Sequence, residues 1–291
     1  MYNLQGIIYA LISSATFGLI PLFAIPAVQS GMTVNSVVFF RFLISATAMG
    51  IIMIMKGINF RLTRKEIGWL LLLSVFYAST SLLLTSSYFY IPSGTATTIH
   101  FLYPVAVALI MTIFFKEKAS VWLYCAIALA VIGVYLLSDS SHSGEIRPYG
   151  LVLVFSTVIT YALYLVLFNR SCLNKMDSIK ATFWVLTMGT IIFLANVLIT
   201  EEKISDVPST EAWINLAMLG LVSTLISDLT LILALKRIGA TTSAILGCLE
   251  PLTAVCSGLL FLGEHCTFIQ AIGLIIILSS VTIVITTQQH S

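Results

Sequence analysis

Runs of mostly apolar residues alternate along the chain with short polar breaks. A membrane-spanning helix needs about 20 apolar residues to cross about 30 Å of hydrocarbon. Ten stretches meet that length: 4–28, 33–55, 67–89, 93–115, 119–137, 149–168, 178–199, 211–235, 239–262 and 267–286. Glycine, proline or charge marks the breaks between them. Each run is continuously apolar, unlike the alternating strands of about ten residues that build a membrane barrel. Helices therefore satisfy the backbone in lipid, and the pattern predicts an all-α integral membrane protein with ten transmembrane helices. The first run lacks the basic flank and small-residue cleavage site of a signal peptide and reads as the first span.

Composition narrows the class. Of 291 residues, 59% are hydrophobic and 9% charged, with a mean hydropathy of +1.05. Soluble domains carry about 25% charged residues, so lipid must cover much of this surface. A net charge of +2 gives no footprint for nucleic acid. Cys125, Cys172, Cys248, Cys256 and Cys266 form no CxxC pair, so no disulfide, metal or cofactor is expected.

The charges set orientation. Lys56, Arg61, Arg64, Lys65, Lys116, Lys118, Arg170, Lys175, Lys180, Lys236 and Arg237 all fall in breaks on one side. The other side holds Arg147 and Lys203, and Arg41 lies within a span. The positive-inside rule makes the first side cytoplasmic, with both termini in the cytoplasm.

The chain also repeats itself. Segment 91–120 matches 238–267 at an offset of 147, pairing Ile91 with Ile238, Pro104 with Pro251, Phe114 with Phe261 and Glu117 with Glu264. Gly6 to Phe17 resembles Gly150 to Tyr161 at an offset of 144. Two five-helix repeats are expected, 1–138 and 148–287. Because five is odd, the second is inverted, a common transporter plan.

The residues Leu249-Glu250-Pro251-Leu252, Phe261-Leu262-Gly263-Glu264 and Gly273 carry a resemblance. So do Tyr103-Pro104, Phe114-Phe115-Lys116-Glu117, Gly133 and Phe40-Arg41-Phe42 in the first half. The chain resembles the drug/metabolite transporter superfamily, specifically the EamA-like ten-helix family, over nearly its whole length. The resemblance implies transport of a small metabolite, such as an amino acid or another amphiphilic solute, across a bacterial inner membrane. It does not name the cargo.

Ionisable groups inside a membrane are costly and face a cavity or a partner. Four stand within spans: Arg41, His100, Asp228 and Glu250. Arg41 suits a bidentate grip on a carboxylate, or a structural pairing with Glu250 or Asp228. Glu250 suits a cationic substrate group or a coupled proton, or it caps the carbonyl that Pro251 frees. Asp228 sits beside Ser227, and its repeat mate Ser81 follows Ser79; the two stretches are candidates to line a cavity or to bond across packed helices, and Asp228, like Glu250, is a candidate carrier of a coupled proton. His100 is a candidate proton relay or a satisfied structural group. Tyr103 takes the repeat position of Glu250, so the halves are unlike there. Tyr77, Tyr88, Tyr161, Tyr164 and Trp184 are candidate cavity walls or packing aromatics. Pro104 and Pro251 are candidate hinges. Glu117 and Glu264 read as turn anchors, and Ala126, Ala130 and Gly133 as a close-packing face of the fifth span, which with its mate, the tenth, is a candidate scaffold or dimer surface.

The reading is a secondary transporter working by alternating access, exporting a small metabolite, with a proton allowed as coupling ion and a homodimer allowed as its assembly. An uncoupled facilitator and a multidrug or metabolite efflux carrier are the main alternatives, with a channel or a scaffold behind them. No HExxH or GxSxG motif supports an intramembrane enzyme.

Overall fold

A computed structural model describes residues 3–91, 93–116, 121–137, 147–199, 203–247, 249–261, 268–269, 272–273, 275–276, 279–280 and 283. The described residues are helical, without strands. In chain order the helices are α1 (Leu4–Phe17), α2 (Ile20–Gln29), α3 (Val34–Met55), α4 (Arg64–Ser87), α5 (Ser93–His100), α6 (Tyr103–Phe115), α7 (Val121–Leu137), α8 (Pro148–Arg170), α9 (Ser178–Ile199), α10 (Thr210–Gly220), α11 (Ser227–Leu246) and α12 (Leu249–Phe261). A π-helical segment, Leu221–Ile226, joins α10 to α11.

Among the described residues, six helical stretches are long and apolar enough to cross a membrane: Leu4–Gln29, Val34–Met55, Arg64–Ser87, Pro148–Arg170, Ser178–Ile199 and Thr210–Leu246. Most of 267–286, with Glu117 and Glu264, lies outside the described residues.

Local chemistry accounts for the ends. Thr63 and Glu66 form a reciprocal capping box at the start of α4, which satisfies two orphan amides. Thr33, Ser209 and Asn3 cap α3, α10 and α1 through their side chains. Gly239, at φ +76°, kinks the chain partway along α11. That conformation is open to glycine and strained for other residues.

Three long runs break at related places. α1 gives way to α2 at Gly18–Leu19, α5 to α6 at 101–102, and α11 to α12 after Leu246. In each case a proline follows within the first turn: Pro21, Pro104 and Pro251. A proline ring clashes with the carbonyl four residues back and lacks the N–H that would bond to it. The prolines therefore do not merely bend a helix; they open the second piece of each.

Packing runs between the halves. The heaviest contacts join α1 to α11, α4 to α8 and α3 to α9. The duplication read from the sequence reappears as swapped contacts. A Cβ at Gly6 would meet Ile238 at 2.6 Å, and one at Gly150 would meet Ile91 at 2.9 Å. These are the residues that the two sequence offsets pair. α7 meets Ser280 through Ala126, whose carbonyl accepts from Ser280 Oγ at 2.7 Å.

The break in the first run is tight. A Cβ at Gly18 would collide with Thr253 and with the carbonyl of Glu250 on α12. Gly18→Val is expected to lower stability by about 1–3 kcal/mol through overpacking. Gly68→Ala, where a Cβ meets open space on α4, is expected to raise it by up to about 1 kcal/mol. Thermal unfolding of the detergent-purified chain checks both signs.

Candidate functional site

The intramembrane ionisable residues converge on one buried cluster. Arg41, Asp228 and Glu250 are 1%, 1% and 2% exposed, and His100 is fully buried. They come from α3, α11, α12 and α5, elements of both halves.

Arg41 is held by packing and one hydrogen bond. Its Nε donates to Thr224 Oγ1 at 2.5 Å. Thr224 lies in the π-helical segment and donates in turn to the Leu219 carbonyl five residues back, at 2.8 Å. A single π turn widens the helix and re-aims a side chain, and such turns gather at functional sites. The guanidinium carbon lies 5.9 Å from the Phe17 ring centroid and 5.8 Å from that of Phe42. Nη2 has no hydrogen-bond partner. Among the described residues no carboxylate comes within 4.0 Å of Arg41. The pairing with Glu250 or Asp228, one of the two readings open for Arg41, is therefore not made in this arrangement.

Asp228 is half satisfied. Tyr77 donates its hydroxyl to Asp228 Oδ1 at 2.6 Å, while Oδ2 has no partner. Tyr77 stacks on Tyr164 at 5.0 Å, Tyr164 on Tyr161 at 6.1 Å, and Tyr161 meets Tyr103 edge-on at 4.7 Å. This aromatic file leads from Asp228 to the breaks around His100 and Glu250. Phe42 lies 5.4 Å from Tyr77 and Phe17 5.9 Å from Tyr161, so the two rings that flank Arg41 join the same file.

At the other end, His100 Nε2 faces Glu250 Oε1 at 3.9 Å, and neither atom has a hydrogen-bond partner. His100 Nδ1 meets Thr157 Oγ1 at 2.8 Å. Pro104 and Pro251 each sit within four residues of this pair.

Other sequence candidates fall elsewhere. Ser227 is buried but occupied, donating to the Ser13 carbonyl at 3.0 Å. Ser79 is only partly buried, and its neighbour Thr80 makes the cross-helix contact instead, to Thr160 at 2.7 Å. Trp184 packs edge-on against Phe183, with Nε1 unpartnered. Thr157, Phe17 and Gly247 enter the cluster as well. A threonine, a phenylalanine and a glycine in apolar helices carry no sequence signal for such a role, though Phe17 is the repeat mate of Tyr161. Among the described residues no group of three His, Cys, Asp or Glu side chains is placed to hold a metal.

The cluster thus presents unpartnered ends of both charges, Arg41 Nη2 and Asp228 Oδ2, along an aromatic wall. Such a set is suited to a small solute bearing an anionic and a cationic group on an apolar body.

Comparison with known proteins agrees with the duplicated plan. The sequence pattern of the EamA-like transporter family matches residues 4–139 and again residues 148–286. An uncharacterized transporter of Synechocystis sp. is 29% identical over 209 residues, covering 69% of this chain and 61% of that protein. An uncharacterized transporter of Archaeoglobus fulgidus is 28% identical over 152 residues, 52% of each chain. The uncharacterized transporter YvbV of Bacillus subtilis is 26% identical over 198 residues, covering 67% of this chain and 64% of that one. The matched stretches thus span less than two thirds of these relatives. One crystal structure of a protein aligns over 98% of each chain with a TM-score of 0.80 at 14% identity, a likeness of fold.

Proposed function

The chain belongs to the EamA-like transporter family, and from that premise we propose that it is a secondary carrier for a small amphiphilic metabolite, an amino acid or a related solute. It would span a bacterial inner membrane ten times as two inverted repeats, 1–138 and 148–287, with both termini cytoplasmic. Transport would run by alternating access, in the direction of export. The observation that carries this reading is the buried, oppositely charged pair of unpartnered ends, Arg41 Nη2 and Asp228 Oδ2, between the halves. Arg41 would hold the substrate's anionic group, Asp228 its cationic group, and Tyr77, Tyr103 and Tyr161 its apolar body. The prolines at 104 and 251 support hinges there, since a broken helix can swing at its break without losing hydrogen bonds it never makes. The face around Ala126 is occupied by Ser280, which favours a scaffold role there over a dimer surface.

The test is flux of labelled amino acids and related metabolites into proteoliposomes, with and without an imposed pH gradient. The expected result is saturable flux that follows the gradient, with the gradient's effect lost in Glu250→Gln. Saturable flux indifferent to both would favour an uncoupled facilitator. Flux that rises linearly with solute concentration would sink the carrier reading in favour of a channel.

A further inference from the structure

Two acceptor atoms face each other at the centre of this protein. Thr157 has one hydroxyl proton, and it donates that proton to the Val154 carbonyl at 2.6 Å. Its oxygen can then only accept from His100 Nδ1, 2.8 Å away. Nδ1 must carry the hydrogen, which in a neutral imidazole leaves Nε2 as a bare acceptor. Nε2 points at Glu250 Oε1, 3.9 Å away, and both atoms are buried without any hydrogen-bond partner. Two buried acceptors in this position are costly unless a proton lies between them.

The place in the fold matters as much as the chemistry. His100 is the last residue of α5, at the break before α6. Glu250 is in the first turn of α12, just past the break after α11. The offset of 147 that relates the halves converts His100 to Gly247 and Tyr103 to Glu250. The contact His100–Glu250 therefore has a counterpart, Gly247–Tyr103, and the structure contains it: a Cβ at Gly247 would strike the Tyr103 hydroxyl. One of the two related contacts joins two ionisable side chains; the other sets a tyrosine hydroxyl against a glycine. The duplication has been made unequal at the point where the two broken helices touch.

The geometry points to a site for one proton shared by Glu250 and His100, which bonds the two breaks together when occupied and releases them when empty. This rests on the transporter reading for its consequence: the bound proton would be the coupling ion. With the proton aboard, the two atoms close from 3.9 Å to hydrogen-bond distance and the Glu250 carboxyl donates to Nε2, or a protonated His100 donates to the carboxylate; either form is neutral overall. Without it, a carboxylate faces a lone pair and the contact is repulsive. The bond is thus present at lower pH and lost as pH rises. Tyr103 faces the pair from the same break and Tyr161 from α8, with Tyr88 near Glu250 at the end of α4, while Arg41 of α3 and Asp228 of α11 are the other buried ionisable groups of the cluster. From α1 come Phe17 and Ser14, neither of which titrates. Asp228 has its own donor in Tyr77, on Oδ1.

The test reads the proton itself, so it stands whether or not a substrate is found. The full chain is labelled with ¹⁵N-histidine, and the His100 signals are assigned by comparison with His100→Gln. Between about pH 5 and 8, Nδ1 is expected to stay protonated throughout. The Nε2 signal is expected to move with pH, in step with the loss of a carboxyl C=O band in the infrared spectrum. In Glu250→Gln, whose amide donates to Nε2 at every pH, both changes should vanish. Thr157→Val keeps both titrating groups and removes the acceptor for Nδ1; His100 should then populate the other tautomer. A pH-independent Nε2 in the wild type, an unchanged response in Glu250→Gln, or the Nε2–H tautomer in the wild type would each overturn the proposal. Absence of flux in proteoliposomes alongside the expected spectra would remove the carrier reading and leave the proton site standing.

Discussion

Arg41→Met is expected to raise the KM of saturable flux about thirty-fold or more while leaving the unfolding midpoint of the protein unchanged or raised. The guanidinium is buried, flanked by Phe17 and Phe42, and has no carboxylate within 4.0 Å among the described residues. A buried charge so placed costs desolvation that no partner repays, and replacing such charges with apolar groups of similar volume is often neutral or stabilising. A structural strut would behave in the opposite way. Truncating a buried charged contact to substrate costs about 2 kcal/mol or more. At about 1.4 kcal/mol per tenfold, that is roughly a thirty-fold or larger rise in KM. Arg41→Lys keeps the charge but loses the planar fork, so it should recover part of the flux. Parallel measurement of flux in proteoliposomes and of thermal unfolding in detergent decides the matter. A large fall in the midpoint of Arg41→Met would return the residue to a structural role.

Asp228 is expected to divide differently. In Tyr77→Phe the buried carboxylate loses the hydroxyl that donates to it, and an unsatisfied buried group costs about 1–3 kcal/mol. Stability should fall by that amount. Asp228→Asn retains an oxygen to accept from Tyr77, so its stability should change little. It removes the charge, however, and flux of solutes bearing an amine should fall while that of their uncharged analogues does not. Combined in one chain, Tyr77→Phe and Asp228→Ala, each of which removes the contact, should be non-additive by about 0.5–3 kcal/mol. Additive losses would show that the Tyr77–Asp228 bond does not operate in solution.

The same cluster shows how far the sequence carries. Arg41, Asp228, Glu250 and His100 were legible because an ionisable group in an apolar run is rare and expensive. Their partners were not. Thr224 holds Arg41 across 183 residues and Thr157 holds His100 across 57, and hydroxyls are common enough in membrane helices that none of them signals such a role. The π turn that presents Thr224 leaves no mark in the hydropathy pattern either. Of the two readings of Arg41, the pairing with an acid is not made, for a geometric reason: aromatic rings from α1 and α3 occupy its flanks, and Asp228 Oδ1 is taken up by Tyr77.

What the sequence determined by itself is what depends on local chemistry and length. Apolar runs of sufficient length demand lipid and helices, prolines at 21, 104 and 251 break those helices wherever they lie, and a duplicated pattern implies a repeated unit. Only the tertiary structure decided which side chains meet. A helical period says which face a residue occupies, but the partner on that face comes from the other half of the chain. The swapped packing of α1 on α11 and α4 on α8 is what brings one histidine, one glutamate and two breaks to a single point.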